Sequence, residues 1–509
     1  MSILDTNKYD VIIIGAGVSG LCAAKLLKES GVNNLLVLEA NDRVGGRTYT
    51  KRTPKVKWVD VGGAYVGPNQ ANIRRIAGDL GVEIYQLNTE GEMTNFYEGK
   101  NHINDATVVP YHAESYVESW DLKNLFKKMD ALGEEIQTDA PWKCKHAEEW
   151  DQMTYKEFVE RQCWTKRGRE IGLFIANDIF TATPHEISLL FALWYIKMGK
   201  GTKSVFANVD GAQDSKFNGG AMQISEKIVD ILGHEKVMLN KAVYSIDQTS
   251  SYVTLKTVDG YEYKARRVIM AIPPCLQMKI HYSPALPPLR NQMLQRFPMG
   301  SVIKCIVYYE TPFWREKGFC GTTTIEDFDK HPLSVTLDDS KRDGSYPAII
   351  GLFATADKNR KLCALSEEER KRRICESFSV VFDSEDALTP IHYEEFDWSA
   401  EQYSGGGYTG ICPPGFLTEF GKIIRQPIGK VHFAGTETAS EWFGYIDGAV
   451  SAGERAAKEV MHAMKIIPRT KPSQTLASDK NDTIVHYANY LPNFKKCFKY
   501  VTSFIFGKQ

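Results

Sequence analysis

YDVIIIGAGVSG, residues 9–20, is the stretch that decides the fold. Residues 9–14 form a continuous apolar run, which is typical of a strand buried on both faces of a parallel sheet. A helical pattern follows at about residues 17–30, and a second apolar run stands at residues 35–38. The order strand, helix, strand predicts a βαβ unit and therefore an α/β fold.

Three glycines and one acid in this unit have the spacing of a dinucleotide site. Gly15 permits the tight turn, Gly17 lets a pyrophosphate approach the backbone at the positive end of the helix, and Gly20 allows the helix to pack closely. Glu39 stands nineteen residues after Gly20, at the end of the second strand, where it would accept a hydrogen bond from a ribose hydroxyl. The pattern predicts that a dinucleotide binds here.

The residues that follow favour a flavin dinucleotide over a nicotinamide one. The motif GGRT, residues 45–48, frees backbone amides and offers a guanidinium fork for phosphate, and a second glycine pair lies in DVGGAYVG, residues 60–67. Nicotinamide enzymes need neither motif. The candidate cofactor residues of this region are Arg43, Gly46, Arg47, Gly62 and Gly63.

A late segment contains the same kinds of features as the first. VHFAGTETASEWFGYIDGAVSAGERAAKEV, residues 431–460, contains a buried strand, then Gly435 and the acid Glu437, then a helix near Gly448. The two segments lie about 400 residues apart. Their separation indicates one long cofactor that is held by both ends of the chain.

Composition excludes several other classes of protein. The chain has 509 residues, with 62 Lys and Arg against 63 Asp and Glu, so it has no global attraction for nucleic acid and we expect no such partner. Its 10 Cys contain no CxxC pair, and its 11 His contain no HxxxH pair, which excludes a disulfide scaffold and predicts no metal site. The amino terminus has no signal-peptide pattern.

The rest of the chain alternates between strand and helix patterns. Residues 87–218 predict a mainly helical insertion, and residues 237–272 restore strand character. A second excursion at residues 302–397 mixes strands with a charged helix at residues 367–382, before a buried strand at residues 431–434. The sheet domain is therefore expected to be discontinuous in sequence.

Longer motifs between about Tyr9 and Met464 resemble those of the flavin-containing monoamine oxidases of animals. They are DVGGAYVGPNQ, DAPWKC, EEWDQMT, TPHEIS, AIPP, GSVIKCIVYY, HYEEFDW, QYSGG, CPPGFLTEFG, RQPIG and FAGTETA. The resemblance implies FAD-dependent oxidative deamination of primary aromatic or biogenic amines by O2, which gives an aldehyde, ammonia and hydrogen peroxide. It also implies a homodimer and a location at the mitochondrial outer membrane, with a cytoplasmic location as the alternative.

The same resemblance implies a two-domain α/β flavoprotein fold. A discontinuous Rossmann-like FAD domain would comprise residues 1–86, 218–290 and 397–463. A mixed α+β substrate domain would comprise residues 87–217 and 291–396. Residues 464–509 would form a carboxyl-terminal tail.

Catalytic roles follow partly from chemistry and partly from the resemblance. Lys304 stands in the apolar strand GSVIKCIVYY, and a lysine buried in a strand must be paired or functional. In the family its counterpart reaches the flavin through a water. The resemblance implies that Tyr408 and Tyr445 present two parallel rings to the amine, and it places Trp398 and Val237 at the cofactor.

The chain departs from the family at Gly407. Animal enzymes read SGGCY, where the cysteine is bonded to the flavin, whereas this chain reads SGGGY. Cys412 is five residues away and is interpreted as a plain buried thiol. The sequence therefore predicts FAD that is held without a covalent bond.

Five residues are implied to line the substrate path: Asp178, Ile179, Phe206, Gln213 and Val335. Phe206 and Val335 match a large aromatic and a small aliphatic gate, a pair that resembles the form preferring bulky aromatic amines. Gln213 matches a glutamine that orients the substrate. Asp178 stands where the family has an aliphatic residue, so we hypothesise a preference for amines with a second positive group.

The tail contains an amphipathic pattern. Leu491, Phe494, Phe498, Val501 and Ile505 recur at helical spacing among lysines, which fits either a helix on a membrane surface or a helix packed on the protein. The last apolar run, residues 500–507, is less than half of the roughly 20 residues needed to cross a bilayer.

Four other functions stay open. Polyamine or diamine oxidation on the same scaffold would agree with Asp178, whereas an amino-acid substrate would need a cavity arginine that we do not identify. A non-catalytic flavin-binding protein would agree with Gly407, although Lys304, Tyr408 and Tyr445 argue against it. A nicotinamide dehydrogenase accounts for the first glycine motif only.

Overall fold

The computed structural model describes residues 7–104, 113, 115–326, 330–353 and 357–466. Along these residues the strands are β1 (Lys8–Ile14), β2 (Leu35–Leu38), β3 (Thr50–Thr53), β4 (Lys57–Asp60), β5 (Tyr65–Val66), β6 (Ile84–Gln86), β7 (Glu92–Tyr97), β8 (Lys100–Asn104), β9 (Ser215–Phe217), β10 (Val237–Met238), β11 (Val243–Asp247), β12 (Val253–Thr257), β13 (Glu262–Met270), β14 (His281–Ser283), β15 (Ile303–Tyr308), β16 (Phe319–Ile325), β17 (Leu333–Asp338), β18 (Ala348–Phe353), β19 (His392–Asp397) and β20 (Val431–Phe433).

The α-helices of the same residues are α1 (Val18–Glu29), α2 (Ala71–Asp79), α3 (Tyr116–Gly133), α4 (Ala147–Gln152), α5 (Tyr155–Gln162), α6 (Lys166–Phe180), α7 (Leu189–Met198), α8 (Thr202–Phe206), α9 (Gln223–Leu232), α10 (Pro274–Gln277), α11 (Pro288–Gln295), α12 (Phe313–Glu316), α13 (Asp357–Leu362), α14 (Glu367–Val381), α15 (Phe416–Phe420) and α16 (Ile446–Ala463).

The first sheet has a parallel core. β10, β2, β1, β13 and β20 run parallel, and Ile12 stands between Leu36 and Val268 at the centre. The last four residues of β1 and all of β2 are buried, as their continuous apolar runs predict. The carboxyl ends of parallel strands meet at one edge, so the glycine motif after β1 and Glu39 after β2 lie at the same edge.

The second sheet has the strand order β19-β15-β18-β17-β16-β7-β8. Its pairs are antiparallel except for β7 with β16. β15 lies between β19 and β18, and all six of its residues are buried, Lys304 among them. This arrangement places the amino group of a central-strand lysine inside the protein.

The predicted helical insertion is right for residues 116–206 and wrong for its beginning. Helices α3 to α8 surround an apolar core that includes Phe180, Trp194 and Phe443. Before them, β7 and β8 form a hairpin around Glu98 and Gly99, which both have positive φ. A two-residue turn with positive φ at both positions is typical of a hairpin. β7 also pairs with β16, which lies far along the chain, so the hairpin becomes part of the second sheet.

The strands of the first sheet come from residues 8–38, 237–283 and 431–433, and those of the second from residues 92–104, 303–353 and 392–397. The predicted division into an FAD domain and a substrate domain stays a prediction. The predicted tail helix lies outside the described residues. Within the described part of the chain, no helix has the length and apolar character needed to cross a bilayer.

Candidate active site

A large cavity begins at the edge of the first sheet and continues to the second sheet and the helices. We call it the central cavity. Its cofactor end is lined by residues that follow β1 and β2, including Gly15 and Glu39. Its amine end is lined by side chains from α6, α8, β15 and β17. The cavity therefore joins the predicted dinucleotide site to the predicted substrate path.

The amino terminus of α1 faces the cofactor end. Gly17 is its N-cap residue, and no side chain among the described residues caps the helix, so its first amides stay available for an anion. Gly20 does not line the cavity but allows the helix to approach β1. A Cβ at this position would lie 2.0 Å from the carbonyl oxygen of Gly15. These features fit a bound pyrophosphate.

Glu39 is buried beside the glycine turn. Its carboxylate accepts hydrogen bonds from the amides of Ala16, at 2.6 Å, and Asn41, at 2.9 Å. Burial raises the pKa of Glu39, although these amides oppose that shift. Two carboxylate oxygens offer about four acceptor positions, so capacity for a ribose hydroxyl remains.

Arg47, which was predicted to face phosphate, forms an ion pair with Glu437, the predicted acid of the late segment. Both Nη atoms of Arg47 donate to the Glu437 carboxylate, at 2.5 and 3.0 Å, and Nη1 also donates to the carbonyl oxygen of Tyr408, at 3.0 Å. Glu437 further accepts from Thr409 Oγ1 and the amide of Gly410. The pair therefore fixes the segment that carries Tyr408, a role that the sequence does not reveal.

Most of the predicted cofactor residues line the central cavity: Gly15, Gly17, Glu39, Arg43, Gly46, Arg47, Gly62, Gly63, Trp398 and Gly435. Three lie behind its lining. Gly20 is packed against the Gly15 turn, Glu437 is paired with Arg47, and Val237 lies in β10 beside Val37 of β2. The uncapped helix, the glycine turn and the buried acid together fit FAD.

Lys304 extends from β15 to the cavity. It is 6% exposed, and its Nζ donates to the carbonyl oxygen of Gly62 at 2.8 Å. Burial lowers the pKa of Lys304 to about 8, and the charge of Lys216 acts in the same direction. An amine with this pKa exchanges protons near neutral pH, which suits a group that assists a redox reaction.

Tyr408 and Tyr445 both line the central cavity. Thr181, directly after α6, donates through Oγ1 to the carbonyl oxygen of Gly407 and accepts from the amide of Tyr408. The Gly407–Tyr408 peptide bond is cis. Tyr445 packs on Tyr195, with ring centroids 5.7 Å apart. Burial raises the pKa of both cavity tyrosines, so each stays a neutral phenol.

Gly407 lines the cavity beside Trp398, whose indole donates to the carbonyl oxygen of Val61 at 2.9 Å. A Cβ at Gly407 would lie 3.4 Å from Trp398 Cβ and from Val302 Cγ1, which is ordinary contact distance. The position therefore has room for a side chain. Cys412 is fully buried away from the cavity lining, and burial raises its pKa, as expected for an inert thiol.

All five predicted substrate residues, Asp178, Ile179, Phe206, Gln213 and Val335, line the central cavity. Phe206 packs on Phe126, with ring centroids 5.4 Å apart. Gln213 Oε1 is buried and makes no hydrogen bond to the described residues, so an acceptor is available at the wall. Asp178 lies one helical turn before Thr181, close enough for its carboxylate to raise the pKa of Tyr408, although burial is the larger cause.

The sequence analysis missed a buried charged group behind Lys304. Lys216, Asp60 and Asp339 lie together with almost no exposure. The sequence carried only a weak signal for this group: a lysine in a buried strand, such as Lys216, needs a charged partner. Only the pairing of β5 with β9 brings Lys216 next to the cavity wall.

Comparison with known proteins decides the family. The sequence model of flavin-containing amine oxidoreductases matches residues 18–461. The chain belongs to this family. It is 52% identical over 464 residues to flavin-containing amine oxidase B of Mus musculus, which covers 91% of this chain and 88% of the relative. It is 51% identical over 475 residues to a flavin-containing amine oxidase of Oncorhynchus mykiss, covering 92% and 89%.

Solved structures of flavin amine oxidases share the fold. Putrescine oxidase bound to putrescine is 30% identical with a TM-score of 0.84, covering 89% of this chain and 99% of that protein. Cyclohexylamine oxidase of Brevibacterium oxydans is 31% identical with the same score, covering 90% and 99%. The predicted family, the two-domain α/β flavoprotein fold class, the amine oxidoreductase activity and the FAD cofactor are confirmed.

Proposed function

We propose that this flavin amine oxidase acts on primary aromatic amines and holds its FAD without a covalent bond. The central cavity carries the proposal, because it connects a pyrophosphate-binding helix end to Lys304 and to two tyrosines in one space. Bound FAD would supply the redox chemistry, as acceptor of a hydride equivalent from the carbon that bears the amine and as donor to O2, with hydrogen peroxide as the product.

The side chains of the chain orient the amine and exclude water. The faces of Tyr408 and Tyr445 attract an amine nitrogen, and Gln213 Oε1 offers a hydrogen-bond acceptor. Lys304 Nζ accepts or returns a proton at the cavity wall, while Gly62 holds the lysine in place. The product imine is hydrolysed to an aldehyde and ammonia.

Two residues set the size of the amine. Phe206 occupies one side of the amine end, and Val335 leaves space in the wall formed by β17. We expect bulky aromatic amines to fit the cavity because a valine occupies less volume than an aromatic residue.

Peroxide release tests the activity. The purified holoenzyme is given tyramine, benzylamine and a set of aliphatic amines, and peroxide is measured. We expect turnover of the aromatic amines, with Lys304→Met slower by roughly 100-fold or more. Flavin that is present without peroxide from any amine would favour a binding protein and contradict the proposal.

Acid precipitation tests the attachment of FAD. We expect wild-type protein to release all its yellow colour into the supernatant. Gly407→Cys is the matched variant, because its side chain has room at the cavity wall and supplies the sulfur that the family uses. We expect this variant to keep part of the flavin in the pellet. Colour retained by the wild type would show another point of attachment.

Diamine oxidation is the second candidate function, and Asp178 favours it. Asp178 lies at the amine end of the cavity, whose lining there also includes Ile179, Phe206, Gln213 and Val335. Putrescine oxidase, which has the same fold, is named for a diamine. A second ammonium group would neutralise the Asp178 carboxylate, and a neutral aromatic tail would not.

Turnover of diamines against monoamines of equal length decides this candidate. We expect Asp178→Asn to lower kcat/KM for diamines by at least about tenfold and to leave benzylamine nearly unchanged. Ile179→Leu, at the adjacent position, is the control and is expected to spare the diamine preference. An equal effect of Asp178→Asn on both substrates would exclude a second cation site.

Partners beyond the amine and O2 remain proposals. We propose a homodimer, contact of residues 464–509 with a membrane surface, and a location at the mitochondrial outer membrane, all supported by the resemblance to the family. Membrane fractionation of cells that express the chain with and without residues 491–509 tests the role of the tail.

A further inference from the structure

A buried charged cluster lies behind Lys304 and outside the lining of the central cavity. Lys216 of β9 is fully buried, and its Nζ forms an ion pair with Asp339 and a second one, at 3.7 Å, with Asp60. The two carboxylates are 1% and 0% exposed. We call Lys216, Asp60 and Asp339 the buried triad. The mechanism above gives these residues no role.

Tyr65 connects the buried triad to Lys304. The centroid of its ring lies 5.5 Å from Lys304 Nζ and 5.9 Å from Lys216 Nζ. The ring itself lines the central cavity. Two lysine amines therefore share one aromatic side chain, and the charge of one acts on the other across a short distance of protein interior.

The carboxylates of the triad are engaged by other groups. Asp339 pairs with Lys216, and Asp60 Oδ1 accepts from Thr50 Oγ1 at 2.6 Å and from the amide of Ala221 at 3.0 Å. Within the described part of the chain, no carboxylate lies within ion-pair distance of Lys304. Its hydrogen-bond partner there is the carbonyl oxygen of Gly62. A buried cation with one carbonyl partner and a second cation nearby is poorly stabilised relative to its neutral amine.

The other titratable groups near Lys304 do not cancel the effect of the Lys216 charge on the protonation of Lys304. Burial keeps Cys305, the next residue in β15, as a neutral thiol by raising its pKa. Lys341 Nζ lies over the rings of Trp58 and Tyr308, 4.9 and 5.1 Å from their centroids, and burial lowers the pKa of Lys341 to about 8. For Lys304, burial is the largest cause of the lowered pKa, Lys216 is the next, and Asp339 and Asp60 oppose both.

We propose that Lys216, fixed between Asp60 and Asp339, is a positioning residue that disfavours the ammonium form of Lys304 and so makes its neutral amine accessible near neutral pH. A neutral Lys304 retains its lone pair for a proton while one N–H stays bonded to the Gly62 carbonyl. The cation of Lys216 disfavours protonation of Lys304, and the two aspartates limit that effect. This inference rests on the proposed role of Lys304 in amine oxidation.

Titration of the holoenzyme tests the inference. The visible absorption of the bound flavin and kcat/KM for tyramine are followed between about pH 6 and 10. We expect an inflection near pH 8 that Lys304→Met removes. The flavin spectrum reports the titration even if no amine is turned over, so failure of the proposed function is distinguished from failure of this inference.

Variants of the triad must shift the inflection in opposite directions. Lys216→Met removes a repelling cation, so the inflection should move to higher pH by about one unit or more. Asp339→Asn removes an attracting anion, so it should move to lower pH. Lys216→Arg keeps the charge and should stay near the wild-type value. Damage to packing alone would not produce shifts of opposite sign.

Three results would overturn the inference. They are shifts of the same sign in Lys216→Met and Asp339→Asn, no shift in Lys216→Met, or no wild-type inflection that depends on Lys304. If these two variants do not fold, Asp60→Asn provides the test, because the contact of Asp60 with Lys216 is longer than that of Asp339 and its loss should disturb the fold less. That variant should move the inflection to lower pH, and an unchanged or higher value would overturn the inference.

Discussion

The two ends of the central cavity are built from different parts of the chain. The cofactor end uses mainly backbone, from the segments around Gly15, Glu39 and Gly46 and from the late segment at Gly435. The amine end uses side chains from α6, α8, β15 and β17, together with Tyr408 and Tyr445. A site built from backbone tolerates almost no added atom. The binding preference of a wall built from side chains, by contrast, changes gradually with the volume and charge of its residues.

The largest effect is expected from a side chain at Gly20. In Gly20→Val a Cβ would meet the Gly15 carbonyl oxygen, and a backbone atom cannot move aside. We expect α1 to shift away from β1 at a cost of about 3 kcal/mol or more, with loss of FAD. The ratio of flavin to protein absorbance after purification measures the loss.

Gly78→Ala is the control for this prediction. Gly78 lies in α2, and a Cβ there would meet nothing within 4 Å. The control should contain the wild-type amount of flavin. A wild-type flavin content in Gly20→Val would show that the cofactor end is not restricted by its backbone.

An intermediate effect is expected where the two ends meet. Glu437→Gln would leave the Arg47 guanidinium without its anion and loosen the segment of Tyr408. We expect a loss of about 3 kcal/mol in the free energy of unfolding, measured by urea denaturation. Glu441→Gln, in a half-exposed pair with Lys200, is the control and should cost less than about 1 kcal/mol.

The effect of Glu437→Gln should depend on pH. Burial alone would raise the pKa of Glu437, but the charge and hydrogen bonds of Arg47 lower it below the usual value. Its contribution to stability is therefore present above the unfolded pKa of about 4.3 and is lost as pH falls through the folded value. The gap between wild type and variant should narrow in acid. A gap that stays constant would contradict this account of the pair.

The smallest effect is expected at the amine end. Val335→Phe adds volume to the cavity wall that also includes Phe206 and should favour small amines over bulky ones. A change of about 10- to 100-fold in the ratio of kcat/KM for benzylamine to that for a naphthyl amine is expected. Val380→Phe, at a half-exposed position on α14, should leave the ratio unchanged. Equal ratios in both variants would exclude Val335 from the substrate path.

Much of the fold could be predicted from the sequence because the strongest signals in the sequence are local. The strands at residues 9–14 and 35–38, the helix between them and the charged helix α14 were predicted within two residues. The periodic patterns that predict helices and strands depend only on residues that are neighbours in the sequence. The hairpin of β7 and β8 was missed, because its strands gain their stability from β16, far along the chain.

The sequence by itself determined the dinucleotide fingerprint and the buried lysine of β15, and through the resemblance it supplied the five residues that are proposed to line the substrate path. Tertiary structure alone decided that Arg47 pairs with Glu437 and that Lys216, Asp60 and Asp339 meet behind Lys304. A glycine turn is fixed by the backbone preferences of adjacent residues. A buried ion pair joins side chains that are more than one hundred residues apart in the sequence, and only the tertiary fold brings their charges together.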